Sequence, residues 1–200
     1  MAHGAAPLGL HGQMAEALRI LCVGSAACMR ADLAEAAVLG VSEAEGWVVV
    51  AVNHAGRDWP GELPHWASFH CELFPRWIPE RQAAGRTPAG ELWTGEHRGQ
   101  PPGLSLKRAP NWGGSSGLLA VSVALKLRAE RVVCCGIPLD HEQGHFDKPE
   151  VKWRDATNYR RGWVSHQVEM ADRVRSMSGW TAGLLGRPDA EWLAAPGVAA

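Results

Sequence analysis

Apolar and polar positions fall along this chain in blocks of two kinds. Residues 19–23 (Arg-Ile-Leu-Cys-Val), 47–52 (Trp-Val-Val-Val-Ala-Val) and 131–135 (Arg-Val-Val-Cys-Cys) are short continuous apolar runs. Unbroken runs of this length predict strands covered on both faces. Between them lie stretches of helical composition. Residues 32–39 are rich in Ala, Leu and Glu and are followed by Gly40; residues 72–84 carry Pro75 and Pro79 near their start. Further helices are predicted at 115–127, 155–171 and 179–185. Weaker strand signals fall at 66–70, 91–94 and 173–177. The alternation predicts an α/β protein, a mainly parallel sheet with helices on both faces. It sets Leu21, Val49 and Val133 in neighbouring central strands. Residues 85–112, with Pro88, Pro101, Pro102 and Pro110 among several glycines, read as one long excursion, the kind of segment that is usually functional or mobile. A polar, His-rich loop is expected to run from residue 140 to 152. The expected organisation is one domain over residues 13–186, with 1–12 and 187–200 as loosely ordered ends.

Composition narrows the classes. The chain has 200 residues, 46% of them hydrophobic, enough for one buried core and close to the globular norm. No apolar run approaches the roughly 20 residues of a membrane-spanning helix. Residues 1–12 show no basic segment followed by an apolar stretch, so no secretory signal is expected and the expected location is the cytoplasm. The formal net charge is -1 without a lysine or arginine block. A protein living on nucleic-acid phosphates would show a basic excess, so neither nucleic acid nor a membrane is the expected partner. The five cysteines include no Cys-x-x-Cys pair. Cys134 and Cys135, adjacent on a strand, point to opposite faces and read as small buried hydrophobes rather than a bridge.

In parallel sheets of this kind ligands bind outside the carboxyl ends of the strands, and candidate chemistry collects at those ends. Gly24 and Ser25 follow the first strand, where small residues serve either a phosphate contact or close helix packing. Asn53 follows the second; its carboxamide can read a ligand with both donor and acceptor, or tie down the next turn. His54 and His70 are acid–base candidates beside it. The turn Gly113-Gly114-Ser115-Ser116-Gly117 opens the strongest helix, whose first N–H groups and dipole favour an anion. Its bland counterpart is an ordinary serine cap. It lacks the Gly-Lys-Ser/Thr of a Walker loop and is not Gly-x-Gly-x-x-Gly. Asp140, His141, His145 and Asp147 form the densest titratable set. Their spacing fits neither a helical ligand pair nor a zinc knuckle, so no metal is expected. Acid–base work and a solvated polar loop stay open for them. Ten tryptophans read mostly as packing, some as stacking surfaces.

Two features together carry a resemblance: Gly-Ser-Ser-Gly-Leu-Leu-Ala-Val-Ser-Val-Ala-Leu from Gly114, and the later strand with Gly136, Ile137 and Asp140. This part of the chain resembles bacterial sialyltransferase-like glycosyltransferases and the related 6-hydroxymethylpterin pyrophosphokinase-like Rossmann proteins. The chain as a whole resembles small proteins of phages and prophages through Asn53, the Trp59-Pro60-Gly61 turn, the 114–117 turn and the Arg-Val-Arg-Ser-Met-Ser-Gly-Trp ending at Trp180. The first turn departs from the enzymes: where they carry Gly-Asn-Gly-Pro-Ser, this chain has Gly24-Ser25-Ala26-Ala27-Cys28. The resemblance implies a Rossmann-like fold and a nucleotide or nucleotide-sugar as partner. It implies a nucleotide site of Gly24, Ser25, Asn53, Gly114, Ser115, Ser116 and Gly117, with no other cofactor. The expected activity is glycosyl transfer from a nucleotide-activated donor, with His70, His141, His145 and Asp140 as candidate catalytic groups. The other expectation is a non-catalytic phage accessory or interaction protein on the same scaffold.

Overall fold

The computed structural model describes residues 17–96 and 99–195; the whole of the expected leading segment 1–12, and residues 196–200 of the expected tail, lie outside them. The first apolar run is strand β1 (Arg19–Val23), followed by helix α1 (Met29–Val38). Then come β2 (Val48–Val52), a short α2 (Asn53–Asp58), β3 (His65–Ala67) and α3 (Phe74–Ala83). β4 (Glu91–Gly95) and β5 (Lys107–Ala109) complete the first half. The second half holds α4 (Ser116–Lys126), β6 (Arg131–Cys135), β7 (Gly144–His145), β8 (Lys148–Lys152), α5 (Ala156–Ser165) and α6 (Gln167–Met170). It ends with β9 (Val174–Ser176), α7 (Gly179–Leu185) and α8 (Ala190–Ala194).

Seven strands form one sheet in the order β5-β4-β3-β2-β1-β6-β9, and every neighbouring pair is parallel. Leu21 stands opposite Val49 on one side and Val133 on the other, the central arrangement that the apolar runs predict. Successive strand residues face opposite sides. One core takes Leu21, Val23, Val49, Ala51, Val133 and Cys135 with Ala36 of α1, Ala55 of α2 and Trp77 of α3. The other takes Ile20, Cys22, Val50, Val132 and Cys134 with α4 and Trp163 of α5. Helices therefore cover both faces, and the protein has a Rossmann-like α/β fold. Cys134 and Cys135 are buried, free and on opposite faces, and burial pushes the Cys135 thiol far up.

From β1 the chain steps outward to β5. Helix α4 then carries it back to β6 on the other side of β1, so the order reverses between β1 and β6. Nine of the eleven residues of α4 are buried, as expected of a helix that is apolar all round.

Four segments depart from the sequence reading. β5 reads Lys-Arg-Ala, an edge strand too short and too charged to show alternation, although charge is what protects an edge. The expected His-rich loop folds into the β7–β8 hairpin, whose Lys-Pro-Glu-Val-Lys strand is exposed throughout and carries no hydrophobic period. The single helix expected over 155–171 breaks at His166 (φ -114°, ψ 21°) into α5 and α6. The expected frayed tail instead forms α8, capped by Asp189. The guanidinium groups of Arg131 and Arg175 lie over its Trp192 ring, 5.0 and 5.2 Å from the centroid.

Candidate functional site

At the reversal point the ends of β1 and β6 approach until backbone nearly touches backbone. A Cβ on Gly24 would sit 2.1 Å from the Gly136 carbonyl oxygen, and the Gly24 N–H donates to Cys135 O at 2.8 Å. Close packing is thus the role of Gly24 that the structure makes visible. Ser25 is similarly engaged: its hydroxyl donates to Val52 O (3.2 Å) and accepts from the Ala55 N–H (3.3 Å). It fastens the β1 turn to the start of α2.

Above this floor, the ends of β1, β2, β3 and β6, the start of α4, the β7–β8 hairpin and α5 enclose a cavity of about 290 Å³. Gly24, Ser25, Asn53, Gly114, Ser115, Ser116 and Gly117 all line it, as do His70 and His145. Phe69 after β3, Trp153 after β8 and Tyr159 of α5 add aromatic walls. Among the described residues no arginine, lysine, aspartate or glutamate lines it, and no group of three or more His, Cys, Asp or Glu is placed to hold a metal ion.

The glycine-rich turn is built in two steps. Gly113 and Gly114 take left-handed backbone (φ 76° and 69°), a region glycine enters without steric penalty. Ser115 then caps α4, its Oγ accepting from the Leu118 N–H at 3.4 Å and from the Trp163 indole N–H at 3.4 Å. The Ser116 Oγ accepts from the Phe69 N–H at 3.3 Å. Both hydroxyl oxygens are therefore acceptors within the protein. The backbone N–H groups of Gly114 to Gly117 have no acceptor among the described residues. Gly117 lies inside the helix rather than in left-handed backbone; it is small because Ile137 Cγ2 stands 2.6 Å from where its Cβ would be.

Asn53 takes left-handed backbone (φ 49°), which Asn tolerates better than most residues. Its carbonyl accepts from the Trp66 indole (2.9 Å), and its Oδ1 accepts from the Ser68 hydroxyl (2.7 Å).

The four candidate catalytic groups separate. His70 stands at the rim, 59% exposed, with Nδ1 3.3 Å from Glu72 Oε1. His145 sits deeper, its ring edge-on to those of Trp153 and His54 and its buried Nδ1 without a partner among the described residues. Asp140 and His141 are not in the wall. The Asp140 carboxylate accepts from the Trp180 N–H (3.1 Å) at the start of α7 and pairs with Arg160 (3.4 Å). His141 Nε2 meets Thr157 Oγ1 at 2.9 Å. Behind His145, the His54 Nδ1 lies 4.0 Å from Asp147. Burial, followed by the Arg57 charge, holds the His54 imidazole below its ordinary pKa.

Sequence reasoning did not single out Phe69, Trp153, Tyr159 or Ser68 for the site. Each lies just past a strand end or on a neighbouring helix, and only position in the sheet brings it there. Among the described residues no helix is long and apolar enough to cross a membrane. The fold and the crevice at its reversal point define a Rossmann-like α/β protein with an open strand-end pocket. Comparison of the chain with protein-family models, with curated proteins and with solved structures finds no match.

Proposed function

We propose that the strand-end crevice binds a nucleotide and that the protein is a glycosyltransferase-like enzyme using a nucleotide-activated donor. The observation that carries the reading is the run of backbone N–H groups from Gly114 to Gly117 beside the cavity, without an acceptor among the described residues and at the positive end of a buried eleven-residue helix. Such a terminus favours a phosphate, and the absence of carboxylates from the described wall removes any repulsion. The cavity is near the lower end of the roughly 300–1,000 Å³ typical of small-molecule pockets. That size suits one nucleotide, with the transferred group reaching outward past His70 and His145. In the transfer, a histidine accepts the proton of the acceptor hydroxyl. The acceptor oxygen bonds to the anomeric carbon as the bond from that carbon to the phosphate oxygen breaks. The phosphate then leaves with the nucleotide, stabilised by the α4 N–H groups. A second reading, binding without catalysis, draws support from the commitment of Asp140 and His141 to bonds outside the cavity.

A pair of variants isolates the carrying observation. Ser116 is the first residue of α4 and follows extended backbone at Ser115, the position where proline is best tolerated. Ser116→Pro removes both the N–H and the hydroxyl, whereas Ser116→Ala removes the hydroxyl alone. Thermal shift and calorimetry with nucleoside mono- and diphosphates and their sugar conjugates should show one that stabilises the parent. Proline should weaken it roughly 10- to 100-fold relative to alanine, the effect of one charge-assisted bond. Absence of any stabilising nucleotide at millimolar concentration, or equal affinity of the two variants, would refute the reading.

A further inference from the structure

The Asn53 carboxamide can offer the cavity either its oxygen or its NH2 group, and a buried hydroxyl behind it decides which. Ser68, just past β3, is fully buried. Its backbone is held by its N–H bond to Trp93 O (3.0 Å). The Ser68 Oγ accepts from the His70 N–H at 2.8 Å and lies 2.7 Å from the Asn53 side chain. The hydroxyl proton needs an acceptor of its own, since a buried polar group left unpaired is strongly disfavoured. Among the described residues the Asn53 Oδ1 is the one acceptor within its reach. The relay runs His70 N–H to Ser68 Oγ–H to Asn53 Oδ1. It turns the Asn53 NH2 away from Ser68, and that group has no partner among the described residues although Asn53 lines the cavity. The backbone cannot swing to undo this, because left-handed φ and the Trp66 bond to the Asn53 carbonyl hold it.

We infer that Ser68 is a positioning residue that sets the specificity of the crevice: it fixes Asn53 as a donor, so the ligand must present an acceptor oxygen at the end of β2. In dinucleotide-binding sheets a carboxylate at the corresponding strand end accepts from the ribose hydroxyls. Here the polarity is reversed: the strand end donates, which suits an acceptor oxygen such as that of a phosphate or a nucleobase carbonyl. The inference rests on the nucleotide reading for the ligand, but the orientation itself stands apart from it.

The first measurement uses no ligand. In the full-length 15N-labelled protein, with the Asn53 side-chain signals assigned through Asn53→Gly (glycine tolerates the backbone there), the Nδ2 protons are expected to exchange with water like open amides, within roughly tenfold. Protection of those protons by roughly a hundredfold or more would mean that the NH2 faces Ser68, and would overturn the inference whatever the protein binds. The second measurement titrates inorganic phosphate, uridine, cytidine, UMP and CMP. A response of the Asn53 NH2 signals to phosphate assigns the acceptor to the phosphate group, and a response to the bare nucleosides assigns it to the nucleoside part. Ser68→Ala, checked by its circular dichroism and melting curve, should weaken the responding probe roughly tenfold, and Ser68→Thr, which keeps the hydroxyl, should restore it. Parent-like affinity in a folded Ser68→Ala protein would overturn the positioning role. Open Nδ2 protons with no response to any of these probes, nor to a nucleotide that stabilises the parent in the thermal-shift series, would overturn the recognition role; the nucleotide reading falls separately, if no nucleotide stabilises the parent.

Discussion

Replacing Gly24 by alanine would place a methyl carbon 2.1 Å from the Gly136 carbonyl oxygen and 2.5 Å from Ile137 Cγ1. Ordinary carbon–oxygen contact needs about 3.3 Å, so the ends of β1 and β6 must part by about 1 Å. Neither neighbour yields easily: one is backbone, and the other belongs to a β-branched side chain 4% exposed. Separation strains or breaks the Gly24 N–H bond to Cys135 O (2.8 Å) and the Ala26 N–H bond to Gly136 O (3.2 Å), about 1 kcal/mol each. Overpacking adds roughly 1–3 kcal/mol, for a loss of about 3–5 kcal/mol. At about 2–4 °C per kcal/mol for a domain of this size, the melting temperature should fall by roughly 6–20 °C. Gly113→Ala is the control. Its φ is 76° but no heavy atom lies within 4 Å of the added carbon, leaving backbone strain of about 1–2 kcal/mol. Paired thermal melts by circular dichroism decide the matter. If Gly24→Ala melts within 2 °C of the parent, or no lower than Gly113→Ala, close approach at the reversal point is not what requires glycine.

Arg81 is 1% exposed, and its guanidinium donates to the carbonyls of Gly56, Trp59, Gly61 and Thr87 at 2.6–3.2 Å. Arg81→Met strands these oxygens and should cost about 3–5 kcal/mol in urea unfolding; a loss below about 1 kcal/mol would contradict that assignment. Burial holds His54 and His65 below their ordinary pKa, so the unfolded chain takes up protons first as pH falls. Their contribution is complete above about pH 6.5 and is lost as pH falls from there through the folded values. Urea unfolding at pH 7.5, 6.5 and 5.5 should show declining stability, with a shallower decline in His54→Asn/His65→Gln; identical slopes would exclude these two groups as the cause.

Strands β1, β2 and β6 were legible because strands buried on both faces must be apolar throughout, and Arg131–Cys135 matches its predicted bounds. Helix α4 was legible for a related reason, a long run of good helix formers opened by a serine. The β5 edge and the β7–β8 hairpin were not, since exposed strands are held by backbone bonds that any sequence can make. Six hydrogen-bonded residues of α2 at Asn53–Asp58 were likewise hidden in what reads as a strand end. At the site, Gly24, Asn53 and the 113–117 turn stood out because glycine and asparagine at strand ends relieve specific backbone constraints. Asp140 stood out for its charge, yet its carboxylate caps α7 and meets Arg160. That partnership joins positions 20 and 40 residues away and leaves no local mark.

By itself, then, the sequence determined the strand–helix alternation, the parallel sheet with Leu21, Val49 and Val133 side by side, and the strand ends as the place of the cavity. Those properties depend on local period and burial, which neighbouring residues encode. The serine cap on Leu118 is local, but tertiary structure alone decided that the Ser115 and Ser116 oxygens also accept from Trp163 and Phe69 while the backbone N–H groups of Gly114 to Gly117 find no acceptor among the described residues. It also decided that Ser68 governs the face shown by Asn53. Which lone pair or proton remains for a ligand depends on partners up to 48 residues distant in the chain, and only the folded sheet brings them within 3.5 Å.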